Sequence, residues 1–142
     1  MTIRERHEKG MPAPKISAVT NLCKRICRSV VKDMGYGHRE AVYQRAIVNA
    51  LSQANVSSQT EVPVPFFYKG VCVGNGRVDI LTKTHIIELK AVHLSTAKMT
   101  SCELQLRKYA ATLKAAGAGN RHMLLIVFDN TTKNIVFKSF SA

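Results

Sequence analysis

Two short apolar segments of this sequence each contain an acidic residue where a strand of a globular protein normally carries apolar or neutral side chains. Asp79 lies in Arg77–Leu81, and Glu88 lies in Ile86–Lys90, which ends in a lysine two residues after the glutamate. Eight residues separate Asp79 from this Glu-x-Lys sequence. Carboxylate oxygens are ligands that Mg²⁺ prefers, and a bound divalent ion can activate water for hydrolysis. The arrangement therefore suits metal-dependent cleavage of phosphodiester bonds.

The spacing of these side chains favours a shared site. Side chains alternate between the two faces of a strand, so Glu88 and Lys90 point to the same side. If the two segments form a hairpin centred on Lys83-Thr84, Asp79 lies directly opposite Glu88, with Cβ atoms about 4.5–5.5 Å apart. Two carboxylates that close repel by roughly 3–4 kcal/mol at an effective dielectric constant near 20. Lys90 together with a Mg²⁺ ion would supply the compensating positive charge.

A structural interpretation of the same residues stays open at this point. In it Glu88 and Lys90 form a surface ion pair, and Asp79 ends a strand. Glu40 lies three residues before Tyr43 and falls on the apolar stripe of a predicted helix, which favours the shared site. An early glutamate is also a common partner of the helix dipole, so Glu40 alone does not decide between the two interpretations.

A second pair of residues bears on the same choice. Gln105 and Tyr109 lie one helical turn apart at the edge of the apolar face of another predicted helix. Lys98 precedes them on the same helix edge, and we expect it to contact a nucleic-acid backbone. Core packing for Tyr109 and a solvated flank for Gln105 are the plainer alternatives.

The balance of charges indicates a polyanionic partner. Lys and Arg total 21 against 9 Asp and Glu in a chain of 142 residues, for a formal net charge of +12. Such a surface binds phosphates without shape complementarity, so nucleic acid is the expected partner. An acidic protein or a membrane surface would also match the charge, but no run of Lys and Arg is dense enough for a membrane patch.

Other features favour a globular intracellular protein. No apolar run approaches the ~20 residues that span a bilayer, and the N-terminal residues lack the apolar segment of a secretory signal. The four cysteines, Cys23, Cys27, Cys72 and Cys102, contain no Cys-x-x-Cys pair. We expect reduced, packed thiols and an intracellular location, whether cytoplasm, nucleus or a viral factory or particle.

Hydrophobic periodicity predicts a mixed α/β sandwich. The predicted elements are a helix from Ile16 to about Gly35, a helix from about His38 to Ala54, an edge strand from Glu61 to Tyr68, a strand from Val71 to Leu81 interrupted around Gly74–Gly76, a strand from His85 to Val92, a helix from Ser95 to Ala116, and strands from Met123 to Phe128 and from Asn134 to Phe140. Residues 1–15 contain Gly10, Pro12 and Pro14 and are expected to form a flexible basic arm before a single domain at residues 16–142.

An ordered set of short motifs links these residues to a known family. Gly37-His38-Arg39-Glu40-Ala41-Val42-Tyr43 fits the pattern Gly-x-x-Glu-x-x-Tyr. It is followed by Val62-Pro63-Val64-Pro65, Phe66-Phe67-Tyr68-Lys69-Gly70, Arg77-Val78-Asp79, Ile87-Glu88-Leu89-Lys90, Gln105-x-x-x-Tyr109 and Leu124-Leu125-Ile126. From about Ile16 to Phe128 the chain resembles the GxxExxY proteins, a branch of the PD-(D/E)XK nuclease superfamily. Val78 stands where the superfamily name has proline.

This resemblance implies a restriction-endonuclease-like α/β fold, in which a mixed β-sheet is flanked by helices. It also assigns roles to individual residues. It implies metal ligands at Asp79, at Glu88 and at the carbonyl of Leu89. It implies Lys90 as the catalytic lysine and Glu40 as the acid that completes the cluster. Gln105 and Tyr109 match an element that helps to place substrate in related nucleases, and Arg77 is expected to contact substrate with them.

The sequence therefore predicts a nuclease that uses Mg²⁺ or Mn²⁺ to hydrolyse DNA phosphodiester bonds. Small basic members of the superfamily include dimeric junction resolvases, so a homodimer that acts on branched or junction DNA is a reasonable extension. The alternative is a catalytically silent protein that keeps the nuclease fold and binds nucleic acid or serves as an assembly component. Four charged residues retained together argue against that alternative.

Overall fold

Five strands form one mixed sheet in the computed structural model of the protein, which describes residues 15–141. The predicted N-terminal arm lies outside the described residues, apart from Lys15. The elements are α1 (Ile16–Met34), α2 (Glu40–Gln53), β1 (Ser58–Tyr68), β2 (Val71–Thr82), β3 (His85–Lys90), α3 (Thr96–Ala115), β4 (His122–Asp129) and β5 (Asn134–Phe140).

The strands follow one another across the sheet in chain order. Neighbouring strands are antiparallel except β3 and β4, which are parallel and are joined by α3. A parallel pair needs a crossover connection, and α3 supplies it. Helices cover both faces of the sheet, so the predicted restriction-endonuclease-like fold class is confirmed.

Two hydrophobic cores lie on opposite faces of this sheet. The first core joins α1 and α2 to one face, and the second core joins α3 to the other. In the first, the rings of Tyr43 and Phe128 stack with centroids 3.9 Å apart. Strand β4 is buried along nearly its whole length because it contributes to both cores, as its continuous apolar sequence predicted.

Local sequence signals explain where the helices begin and end. The last turn of α1 ends at Gly35, whose φ of 76° suits glycine and whose N–H donates to the Val31 carbonyl. The first turn of α3 is capped by Ser95, whose hydroxyl accepts from the backbone N–H of Lys98. Helix α2 lacks a side-chain cap and begins at Glu40, whose carboxylate complements the helix dipole.

Strand β2 changes the face it presents at Asp79. Val78 packs in the second core, whereas Ile80 packs in the first. Side chains two residues apart on a regular strand share a face, so β2 rotates between these positions. The neighbouring strand β1 is distorted at the same level, where Glu61 has a φ of 54°, an uncommon value for a residue other than glycine. Asp79 is thereby turned out of both cores.

Two details of the prediction are wrong. Strand β2 runs without interruption through Gly74–Gly76, because both glycines lie inside its ladder with β1. Cys72 is exposed rather than packed, whereas Cys23, Cys27 and Cys102 are buried, and all four thiols are free. Within residues 15–141, no helix combines the length and the apolar character required to cross a membrane.

Candidate active site

The structure brings most of the predicted site residues to one open cleft. The cleft lies where β2 separates from β3, between α2 and α3, and is lined by Glu40, Pro63, Asn75, Gly76, Arg77, Asp79, Glu88, Lys90, Gln105 and Tyr109. Its volume of about 660 Å³ falls in the range of ligand-binding pockets. Leu89 is adjacent in the chain and buried. Lys98 is exposed on the first turn of α3 and does not line the cleft.

The strand register sets Asp79 against Glu88, as the hairpin centred on Lys83-Thr84 predicted. Ile80 pairs with Ile87 and Leu81 with Ile86, and the same register places Asp79 across from Glu88. The ladder between β2 and β3 stops at this point. Here the Leu89 N–H donates to Oδ2 of the Asp79 carboxylate at 2.8 Å. Asp79 is therefore fixed to the neighbouring strand by its side chain.

Glu88 is a buried acid beside another acid. Burial is the largest cause that raises the pKa of its carboxyl to about 8, and the charge of Asp79 and a hydrogen bond with it add to the effect. Lys90 opposes the shift, with its Nζ 3.8 Å from Oε1 of Glu88. Because Glu88 is only 7% exposed, a solvated surface ion pair does not describe this site.

Glu40 approaches the same charges from the first turn of α2. Its side chain is exposed and lines the cleft, so its position suits both the predicted shared site and a partner of the helix dipole. Partial burial raises the pKa of Glu40. The neighbouring charges act in both directions, since Lys90 lowers this pKa and Asp79 raises it.

The donor set fits a small hard cation. Among residues 15–141, no group of three His, Cys, Asp or Glu side chains is arranged to hold a metal ion. Two facing carboxylates, one of them buried with a strongly raised pKa, nevertheless form a pair that a divalent cation would stabilise. Mg²⁺ commonly uses one or two carboxylates and keeps several waters, which matches Asp79 and Glu88.

Two residues of this site were missed from the sequence. The amide of Gln44, buried on α2, donates to the Asp79 carbonyl at 2.8 Å and to Glu61 Oε1 at 3.3 Å. Glu61 Oε2 in turn lies 2.6 Å from Nε of Arg77. A glutamine directly after a buried tyrosine was a possible signal, but only the tertiary contact reveals its partner. Gln44 thus gives the Asp79 carbonyl a side-chain partner.

The predicted Gln105–Tyr109 pair forms one wall of the cleft. The Gln105 amide donates to the Tyr109 hydroxyl at 2.7 Å. The Tyr109 ring lies directly against the backbone of β2, since a Cβ placed on Gly76 would stand 2.2 Å from one of its ring carbons. Only glycine leaves room for the ring at this position.

Comparison with protein families finds a match over most of the chain. A family model described as the PD-(D/E)XK nuclease superfamily matches residues 17–138. The match spans every candidate site residue from Glu40 to Tyr109. A comparison with curated proteins finds no match, and a comparison with solved structures finds none.

Removal of the buried charge should stabilise the metal-free protein at alkaline pH. A carboxyl whose pKa is raised from 4.5 to about 8 in the folded state favours folding fully below pH 4.5, and that contribution is lost as the pH rises through 8. In EDTA at about pH 8.5 we expect Glu88→Gln to raise the unfolding free energy by roughly 1–3 kcal/mol. This gain is smaller than the ~4 kcal/mol repulsion between two like charges 4 Å apart at a dielectric constant of 20. At about pH 5 the difference should nearly vanish.

Urea denaturation at both pH values measures this difference. Glu103→Gln is the matched control, since Glu103 is paired with Arg107 on the outside of α3. A gain in Glu88→Gln that does not depend on pH would show that Glu88 is not the buried acid described here.

Substitution of Gly76 should disturb the wall of the cleft. Gly76→Ala forces the Tyr109 ring to move, and we expect a loss of about 1–3 kcal/mol of stability, as for other overpacked sites. Gly74→Ala is the matched control two residues away, because a Cβ there meets no atom within 4 Å. It should be neutral or stabilise the protein by about 0.4–1 kcal/mol through the unfolded state. Equal stabilities of the two variants, measured by urea denaturation, would contradict the packing of Tyr109 on Gly76.

Proposed function

The chain belongs to the PD-(D/E)XK nuclease superfamily, and on that premise we propose that it is a Mg²⁺- or Mn²⁺-dependent nuclease of the GxxExxY branch that hydrolyses DNA phosphodiester bonds. Members of the superfamily are typically metal-dependent nucleases. The observation that carries the proposal is the pair of facing carboxylates, Asp79 and Glu88, with Lys90 beside them in an open cleft.

Asp79 and Glu88 would hold the metal ion, with the Leu89 carbonyl as a further ligand. A bound divalent ion polarises the scissile phosphate and lowers the pKa of a water molecule. The chain prepares this site by holding the Asp79 carboxylate on the Leu89 N–H. Because Asp79 is fixed in this way, its carboxylate stays aimed at the cleft rather than rotating into solvent.

Lys90 is the positive group that the chain itself places at the reaction centre. Its ammonium lies 3.8 Å from the Glu88 carboxylate and is partly buried, where a charge acts more strongly than in water. We assign it the stabilisation of negative charge that develops on the phosphate, or the orientation of the attacking water. The charge of Lys90 lowers the pKa of Glu40. We assign Glu40 the support of the Lys90 ammonium or of the metal ligands.

The walls of the cleft suit the placement of a nucleic-acid strand. Gln105 and Tyr109 present an amide and a hydroxyl on one side. Arg77 lines the cleft but is paired with Glu61, so we expect it to shape the cleft and to exchange this partner for a phosphate. Lys98 lies in the first turn of α3 and would contact the nucleic-acid backbone outside the cleft.

A cleavage assay tests the proposal. Linear, nicked, single-stranded and four-way-junction DNA should be cut in Mg²⁺ or Mn²⁺ and should stay intact in EDTA. Asp79→Asn and Glu88→Gln should abolish cleavage, and Lys90→Met should reduce the rate at least ~100-fold while leaving DNA binding intact, the usual effect of removing a positioned charged group.

The controls for this assay keep the charge changes matched. Lys138→Met removes an exposed lysine from β5, and Asp33→Asn removes an exposed acid from α1. Both should cut DNA at the unsubstituted rate. If saturated complexes with every DNA form, and with RNA, leave all strands intact in either metal, the protein is a binder that keeps the nuclease fold.

A further inference from the structure

A groove between the β1–β2 hairpin and α3 continues from the candidate cleft. It shares four residues with the cleft, Asn75, Gly76, Gln105 and Tyr109, and extends as far as Phe66 and Lys108. The predicted catalytic chemistry uses only the cleft, so the groove has no assigned role. A nucleic-acid strand bound in the cleft would therefore extend into the groove on one side.

The hairpin that forms one side of the groove projects beyond the rest of the sheet. Among the described strands, β2 pairs with β3 only at Ile80 and Leu81. From Val71 to Asp79 its one strand partner is β1. The tip exposes four large apolar side chains, each 63–65% exposed: Phe67, Tyr68, Val71 and Val73. Exposed apolar side chains at the tip of a projecting hairpin indicate a contact surface.

Space for a flat ligand lies beside Phe66. Gly74 is opposite Phe66 in the β1–β2 ladder, and a Cβ built on Gly74 would meet no atom within 4 Å. At Gly76 the corresponding space is filled by the Tyr109 ring, whose centroid lies 6.1 Å from that of Phe66. Phe66 therefore has an aromatic neighbour and, at the glycine opposite it, open space.

We propose that this niche, formed by Phe66, Gly74 and Tyr109, binds an unpaired base of a single-stranded DNA segment that leads into the cleft. The proposal rests on the proposed nuclease function and names the form of substrate that the site prefers. An unpaired base offers a flat face for stacking on Phe66, and its phosphates are anions for a neighbouring lysine. Lys108 lines the same groove.

The composition of the hairpin tip favours unpaired bases over the edges of a duplex. Readout of duplex base edges uses hydrogen-bonding side chains such as Arg, Asn and Gln. The tip instead presents aromatic and aliphatic side chains with a single cation, Lys69, whose ammonium lies 5.4 Å from the Tyr68 ring centroid. A second copy of this chain is the poorer occupant, because both partners carry a formal net charge of +12.

Binding of tailed and blunt DNA tests the niche directly. Affinity for a duplex with a single-stranded tail and for the same duplex with blunt ends is measured by fluorescence anisotropy in Ca²⁺, with 2-aminopurine in the tail as a reporter of stacking. We expect the unsubstituted protein to prefer the tailed duplex by about 10-fold, the scale of one stacked base, and to quench the 2-aminopurine.

Gly74→Val fills the open space without a change of charge and places a β-branched side chain where a strand tolerates it. It should fold normally, lose the tail preference and the quenching, and keep its affinity for the blunt duplex. Phe66→Leu should have the same effect through loss of the aromatic face. Thr60→Val, an exposed position of β1 outside the groove, is the matched control and should keep the preference.

Several results would overturn the niche. One is an unsubstituted protein with no tail preference, and another is a Gly74→Val variant that keeps it. A third is a variant that binds both duplexes more weakly to the same degree and changes its sedimentation, which would assign the surface to a second copy.

Cleavage in Mg²⁺ separates the two proposals. Tail-specific binding without cleavage removes the nuclease and keeps the niche, whereas equal binding and equal cleavage of both duplexes by the unsubstituted protein keep the nuclease and remove the niche.

Discussion

Repulsion between two carboxylates is the constraint on which the rest of this structure depends. Asp79 and Glu88 face each other across β2 and β3, and Glu88 is buried enough that its pKa rises to about 8. Once both groups are ionised, such a pair costs stability in the absence of a cation, so it persists only where the surrounding structure is rigid or where a ligand compensates it. The ammonium of Lys90 offsets only part of the charge. The arrangement is therefore one that a bound divalent ion would stabilise.

The fold holds these groups by giving up regular strand pairing at one point. The ladder between β2 and β3 ends beside Asp79, where the Leu89 N–H donates to the Asp79 carboxylate, and the Gln44 amide donates to the Asp79 carbonyl. Helix α2 brings Gln44 and Glu40 from one face, while α3 brings Tyr109 from the other. The cleft opens where the strands separate, between the helices on the two faces of the sheet.

Local patterns in the sequence were enough for much of this arrangement. Alternation along β3 placed Glu88 with Lys90, and the hairpin centre at Lys83-Thr84 gave the correct register for Asp79. What the sequence did not reveal depends on contacts between distant segments. Gln44 lies 35 residues from the carbonyl it contacts, and Gly76 is required by a tyrosine of α3. Glycine normally weakens a strand, which is why Gly74–Gly76 predicted an interruption where the structure has a packing site.

Calorimetric titration of the protein with Mg²⁺ or Mn²⁺ near pH 7, in two buffers of different ionisation enthalpy, tests the central claim most directly. With the pKa of Glu88 at about 8 in the metal-free protein, the carboxyl is mostly protonated under these conditions, and binding of a cation must displace that proton. The account predicts one binding site, release of close to one proton, and weaker binding without proton release in Glu88→Gln. Unchanged affinity in both Asp79→Asn and Glu88→Gln, or binding without any proton release, would contradict it.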